Sequence, residues 1–346
     1  MSAEVLKPAL EQLLAKQDLS SDTMQQVMQA LMSGEATEAQ IGGILIALRM
    51  KGETNEEIAA AAKVMRELAA GVEIADKTHL VDTCGTGGDG ANTFNVSTAS
   101  AFVVAAAGGK VAKHGNRSIS SKSGSADVLE AAGVNLNLTP EQVAQCVEEV
   151  GVGFMFAPAH HSAMKHVIGA RKSLGVRTIF NLLGPLTNPA GAPAQVLGVY
   201  DKSLLPVFAE VLKQLGSKHV MVVHAQDGLD EISIASPTEV AELKEGNITQ
   251  WQVHPEQLDK AHESLQPLAV DSAAESLALI EAVFQNQQDL RTQAAKDIIA
   301  LNAGAALYVS GLADSFEAGV AKADAAIESG AAAEKFAQFV LLTQQF

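Results

Sequence analysis

HLVDTCGTGGDGANTFNVSTASAFVVAAAGGKVAKHGNRSISSKSGSADVLEAAG, residues 79–133, is the stretch whose reading decides the fold. It reads as a short apolar strand, a glycine loop, a turn of hydroxyls and amides, a helix of small residues, a second strand and a basic loop. Gly85, Gly87, Gly88 and Gly90 carry no side chains. Backbone N–H groups can therefore approach an anion there, and the chain can take positive φ. Lys110, Lys113, Arg117 and Lys122 follow, with no Asp or Glu between Asp89 and Asp127. In a chain of net charge -16 such a gap points to a negatively charged ligand. A second acid-free span, 151–200, carries Lys165, Arg171, Lys172 and Arg177.

Outward from this stretch the texture alternates. Strands are expected at 80–84, 110–113, 152–156, 196–200 and 219–224, with helical runs such as 203–215 between or beside them. That alternation predicts an α/β fold with a mostly parallel central sheet flanked by helices. Ligands gather at the carboxyl ends of the strands in such sheets, and the glycine and basic loops would share that rim. Residues 3–71 read instead as helices. Thr37 with Gln40 and Thr54 with Glu57 form capping boxes, Gly34, Gly52 and Gly71 mark stops, and Ile41, Ile44, Leu45 and Leu48 make one apolar stripe. The expected organisation is a small N-terminal helical domain, 1–75, and a larger α/β domain, 76–346. The helical part would leave apolar surface over, to pack on the main domain or on a second subunit. Residues 239–255 predict a hairpin turning at Gly246-Asn247, the segment 191–193 a connection between parts of the fold, and the Ala-rich tail from about Ala273 a set of tightly packed helices.

The totals set limits. A chain of 346 residues with 47% hydrophobic content can bury a substantial core. Its acidic balance argues against a nucleic-acid or anionic-membrane partner. Cys84 and Cys146 offer no disulfide framework, the opening MSAEVLKPALEQ lacks a charged-then-apolar pattern, and no apolar run approaches a membrane span. The expected location is the cytoplasm.

Each motif has competing readings. GTGGDG at 85–90 matches the dinucleotide fingerprint in letters, but no helix opens inside it and the second strand ends in Lys113-His114 rather than an acid. A plain turn is the other reading, against which stands the crowd of Asp89, Thr93, Asn95, Ser97 and Thr98. Lys113 to Ser121 offers cations, hydroxyls and a backbone freed by Gly115, or else a solvated loop. The run Ser123-Gly-Ser125 predicts a helix start whose N–H groups would add to anion binding. Arg171 has no carboxylate nearby in sequence, so its guanidinium suits a ligand carboxylate. Arg177 reads equally as an arginine that knits the fold together. Asp230 and Glu231 are hard oxygen donors suited to Mg²⁺ beside phosphates, or ordinary surface acids. His160, His161 and His166 make no zinc pattern.

DTCGTGGD at 82–89, NVST at 95–98, the run 113–130 and RTIFNLLGPLTNP at 177–189 closely resemble the anthranilate phosphoribosyltransferases of tryptophan biosynthesis. The resemblance covers nearly the whole chain. It implies transfer of a 5-phosphoribosyl group from phosphoribosyl pyrophosphate to the amine of anthranilate, with Mg²⁺ as cofactor. By that resemblance Gly85, Gly88, Asp89, Thr93, Asn95, Val96, Ser97, Thr98, Lys113, His114, Gly115, Asn116, Arg117, Ser118, Ile119, Ser120, Ser121 and Ser125 match positions that hold phosphoribosyl pyrophosphate. Gly85, Asn116 and Arg171 match those at anthranilate, and Ser97, Asp230 and Glu231 the magnesium ligands. It also implies a homodimer through the helical part and an inter-domain hinge near 181–189, within a joining segment near 175–190. Met164, expected on the helix leading to Arg171, stands where some relatives carry an aromatic residue. No catalytic side chain is assigned, since catalysis by binding and electrostatics suffices; His114 is one possible acceptor for the amine proton. A pyrimidine-type nucleoside phosphorylase, a phosphoribosyl transferase with another acceptor, and a non-enzymatic protein are the alternative readings.

Overall fold

The computed structural model describes residues 3–118 and 121–346. Its first layer is four helices, α1 (Leu6–Leu14), α2 (Ser21–Ser33), α3 (Glu38–Lys51) and α4 (Asn55–Leu68). Both expected capping boxes form: Thr37 and Gln40 open α3, and Thr54 and Glu57 open α4. Ile41, Ile44, Leu45 and Leu48 are fully buried. One spacing of three and four residues therefore sets the face that packs.

The sheet starts with β1 (Leu80–Gly85), followed by α5 (Val96–Ala106), β2 (Lys110–Gly115), α6 (Ser125–Ala131), α7 (Pro140–Glu149) and β3 (Val152–Phe156). The chain then returns to the helical layer through α8 (Ala157–His160), a 3₁₀ turn Ser162–His166, α9 (Ile168–Leu174) and α10 (Phe180–Leu183). It re-enters the sheet as β4 (Ala194–Gly198), α11 (Leu204–Gln214), β5 (His219–Ala225), β6 (Thr238–Lys244) and β7 (Asn247–Val253). Helices α12 (Ala273–Phe284), α13 (Leu290–Val309), α14 (Phe316–Glu328) and α15 (Ala331–Gln344) close the fold.

Among the described residues the sheet has seven strands in the order β3-β2-β1-β4-β5-β6-β7. The first five of these are parallel, and β6 and β7 are antiparallel. Strand order reverses between β1 and β4, so a crevice opens outside their carboxyl ends. Side-chain alternation divides two cores across the sheet. Val196, Met221, Val223 and Val240 face the layer of α5, α12, α13, α14 and α15. Leu197, Val220, Val222, Ala241 and Leu243 face α11 and the N-terminal helices.

Strand β2 runs two residues further than expected, β1 and β5 one, and the hairpin turn and β4 are displaced. The hairpin turns at Glu245-Gly246, with φ of 50° and 79°, and Asn247 pairs with Lys244 as the first residue of β7. Positive φ at both central positions marks a type I′ turn, and here Glu245 takes one of them. Strand β4 runs two residues earlier than expected and ends at Gly198, where a Cβ would overlap the main-chain carbonyl of Asp230, so only glycine fits.

Candidate active site

A cleft of about 850 Å³ lies at the carboxyl ends of β1, β2, β4 and β5, under α9 and the segment that follows it. The glycine loop forms one wall. Gly87, Gly88 and Gly90 take φ of 66°, 81° and 76°, a region that side chains disfavour. Thr86 fixes the loop at its base, its N–H donating to the Gly198 carbonyl at 2.9 Å and its hydroxyl accepting the Tyr200 N–H at 3.0 Å. Thr93, Asn95, Val96 and Ser97 line the cleft beyond it. Asn95 precedes α5 without a side-chain cap, and the first turn holds no acid, so the positive end of the helix faces the cleft at Val96 and Ser97, with the Val96 N–H donating to the Phe94 carbonyl at 2.8 Å. Its amide is otherwise engaged. Nδ2 donates to Ser123 O at 3.1 Å, and Oδ1 accepts from the Ser123 and Ser276 hydroxyls, each at 2.7 Å. Thr98 lies outside the cleft: its side chain is buried and its hydroxyl has no partner, since one residue along a helix turns a side chain by about 100° away from Ser97.

The basic loop forms the facing wall with Gly115, Asn116, Arg117, Ser118, Ser121 and Ser125. Ile119 and Ser120 fall outside the described residues. Gly115 is required, because a Cβ would come within 2.8 Å of the Phe154 ring. Arg117 is less free than the acid-free run suggested. It donates to Glu130 at 2.9 Å and stacks over Phe156 at 5.5 Å, because α6 brings its carboxylate back to the loop. Lys113 is not on the loop but in β2, where its buried ammonium donates to the Thr83 carbonyl and to Ser97 Oγ at 3.1 Å. His114 packs edge-on to His161 at 5.0 Å and its Nδ1 lies 3.2 Å from the Gly184 carbonyl, which leaves Nε2 buried without a partner. Burial, then His161 and His160, lower the His114 pKa to about 3; burial, then His160, lower His161 to about 4.

At the third wall Arg171 projects from α9. It stacks on Phe180 at 5.1 Å and has no ion pair among the described residues, and burial lowers its pKa. Ile168 and Val176, each nearly half exposed, flank it in the cleft. Met164 is part of the 3₁₀ turn before α9 and packs against the helical core instead of lining the cleft. Lys172 of the second acid-free span also reaches this wall, whereas sequence reading gave no site role to Asn181 or Tyr200, which the return of the chain past the helical layer brings there.

Asp230 and Glu231 follow β5 and form the floor with Asp89. Gly87 donates its N–H to Asp230 Oδ2 at 2.7 Å. Burial first, then Asp89, raises the Asp230 pKa; burial first, then Asp230, raises that of Glu231, with Lys113 opposing. Hard oxygens forced together in a buried place suit a small divalent cation, which relieves their repulsion. No group of three or more His, Cys, Asp or Glu among the described residues makes a complete cage. The donor set therefore fits an ion that also takes oxygens from water or a phosphate ligand, as Mg²⁺ does.

The family model described as glycosyl transferase family, a/b domain, matches residues 77–333, and that described as its helical bundle domain matches residues 7–69. An anthranilate phosphoribosyltransferase of Hydrogenovibrio crunogenus is 68% identical over 341 residues, 99% of each chain. Among solved structures, the anthranilate phosphoribosyltransferase of Thermus thermophilus superposes with a TM-score of 0.90 at 41% identity, covering 97% of this chain and 99% of that one. The Saccharomyces cerevisiae enzyme, in complex with PRPP and Mg, superposes with a TM-score of 0.90 at 28% identity, covering 100% and 99%.

Proposed function

The chain belongs to the anthranilate phosphoribosyltransferase family, and on that premise we infer how its cleft works. It is a glycosyltransferase-type enzyme that transfers the 5-phosphoribosyl group of phosphoribosyl pyrophosphate to the amine of anthranilate, releasing pyrophosphate, in tryptophan biosynthesis. The observation that carries the assignment of ends is Arg171. It is a half-buried guanidinium with no ion pair among the described residues, facing the glycine loop and the start of α5 across one cleft. A bidentate pair with the anthranilate carboxylate satisfies it. Gly85 and Asn116 complete the acceptor end. Asp89, Thr93, Val96, the first turn of α5 and the loop from Gly115 to Ser118 take the phosphates and ribose, with Ser121 and Ser125 behind them.

The acceptor is a neutral aryl amine, nucleophilic without a base. The barrier is departure of pyrophosphate from a ribose carbon that gathers positive charge. Backbone N–H groups of the glycine loop and of α5 stabilise charge developing on the leaving oxygens. Holding both substrates in line contributes further, since positioning alone can lower a barrier by roughly 7–11 kcal/mol. We assign Ser97, Asp230 and Glu231 to Mg²⁺, which when bound neutralises pyrophosphate charge. Lys113 orients Ser97 for that role. His114, held neutral at pH 7, is a weak proton acceptor, adequate where no base is needed before attack.

We further propose that two copies pair through the helical layer, where Leu14 is 70% and Met50 80% exposed. Cys84 and Cys146 are free and buried, which suits a reducing cytoplasm, and no helix of the described residues is long and apolar enough to cross a membrane.

Loss of anthranilate fluorescence with phosphoribosyl pyrophosphate and Mg²⁺ tests the reading. Loss is expected only with all three components. Arg171→Ala is expected to raise the anthranilate KM by about 10- to 100-fold, the worth of a charge-assisted pair. An unchanged anthranilate KM in that variant would remove Arg171 from the acceptor end.

A further inference from the structure

Arg177 lies between α9, which carries Arg171, and α10. Its guanidinium carbon sits 3.7 Å from the centroid of the Tyr200 ring, and Nη2 donates to the Gly88 carbonyl at 3.1 Å. Its own carbonyl accepts from the guanidinium of Arg49 on α3. Gly88, at φ 81°, receives it closely: a Cβ there would come within 2.6 Å of Arg177 Nη2. Tyr200 is held by its backbone N–H on Thr86, at the base of the same loop.

Three physical consequences converge. A loop with glycines at 85, 87, 88 and 90 costs much entropy to order, so something must hold it. The Arg177 guanidinium is exposed, but its planar fork stacked on the Tyr200 face and bonded at the same time to a carbonyl is a directional hold with two points of contact. In a trans peptide, moreover, the C=O and N–H point opposite ways. Turning the Gly88 carbonyl onto Arg177 therefore points the Asp89 N–H away from it. That N–H has no acceptor within the protein among the described residues, so it is free for an anion.

We propose that Arg177 is a positioning residue that latches the glycine loop: stacked on Tyr200 and bonded to Gly88, it presents the loop N–H groups to the pyrophosphate end of the donor. Through Arg49 and the six-residue interval to Arg171, it also ties this end of the cleft to the helical layer and the acceptor wall. The proposal rests on the reading of the cleft as a phosphoribosyl pyrophosphate site. Arg177 acts through the loop and does not touch the ligand.

Calorimetric titration of phosphoribosyl pyrophosphate with Mg²⁺ into the full chain, with KM measured for both substrates, tests it. Arg177→Ala and Tyr200→Ala are each expected to weaken donor binding about tenfold. The double variant is expected to be little worse than either single one, because both remove one device. Tyr200→Phe keeps the ring face and is expected to restore most of what Tyr200→Ala loses. Arg177→Lys keeps charge but not the planar stack and is expected to recover less. The donor KM is expected to rise more than the anthranilate KM. Unchanged donor binding in Arg177→Ala overturns the latch. So does weak binding in Arg177→Ala with normal binding in Tyr200→Ala, which would place Arg177 directly on a phosphate. Absence of donor binding by the unaltered chain overturns the reading of the cleft itself, and the latch with it.

Discussion

At the scale of single residues, burial decides which charges are available for chemistry. Lys113, His114 and Arg117 read in sequence as one polar run from the end of the second strand into the basic loop. The fold turns Lys113 inward to Thr83 and Ser97, pairs Arg117 with Glu130, and leaves the His114 ring neutral against His161. The two histidines set a pH dependence. Their folded pKa values, about 3 and about 4, lie below the unfolded value near 6.5, so between these limits the unfolded chain binds more protons. Stability contributed by the neutral rings is complete above about pH 6.5 and is lost as pH falls toward 4. From pH 6.5 to pH 5 each ring is expected to account for up to about 2 kcal/mol. Urea unfolding at pH 7 and pH 5 checks this: His161→Gln is expected to lose less stability than the unaltered chain over that step. An equal loss would mean that His161 protonates freely in the fold.

At the scale of elements, close approaches carry the site. Strand β4 ends in Gly198 so that the turn bearing Asp230 and Glu231 can rest on it, which brings the acids beneath the glycine loop that follows β1. Gly198→Ala is expected to displace the Asp230 main chain and abolish Mg²⁺-dependent donor binding, with about 1–3 kcal/mol of lost stability from overpacking. Calorimetry with phosphoribosyl pyrophosphate and Mg²⁺ checks it; wild-type affinity in this variant would show that the turn can shift without harm to the site. The expected tight packing of the tail has the same basis. Helices α13 and α14 cross at Gly304 and Gly319, where a Cβ on Gly304 would come within 2.6 Å of the Val320 backbone. These elements were legible because periodicity, capping residues and small-residue runs are local signals. The β4 limit and the Glu245-Gly246 turn were not, since each is settled by a partner remote in sequence or by a two-residue turn geometry.

At the scale of the molecule, the helical layer is not a separate body. Its core runs on through Ala170, Ile179, Phe180 and Leu183 into one face of the sheet at Leu197, Val220 and Val222. Arg66 of α4 bonds across to the carbonyl of Leu186 at 2.7 Å. The chain is expected to unfold in one transition, with far-ultraviolet circular dichroism and the fluorescence of Trp251 on β7 coinciding. If copies pair through the helical layer, the midpoint is expected to rise with protein concentration. A separate early loss of helix with Trp251 unchanged would show that the two cores are independent.

What the sequence determined by itself was the set of pieces: a parallel-sheet fold with helices ahead of it, a glycine loop and a basic loop on one rim, and the identity of the arginine and the acid pair that complete the cleft. The elements and loops follow from local rules of spacing, capping and side-chain chemistry, which act over a few residues, whereas the arginine and the acid pair were candidates by their chemistry and took their roles from the family resemblance. Tertiary structure alone decided which of these groups face the cleft. Thr98 turns into the core, Lys113 lines the cleft from within β2 with its ammonium on Ser97, Met164 packs away from the site, and Tyr200 and Arg177 meet over Gly88. Orientation of this kind depends on which remote surfaces exclude water from a side chain and which remote groups satisfy its hydrogen bonds, and neither is written in its neighbours along the chain.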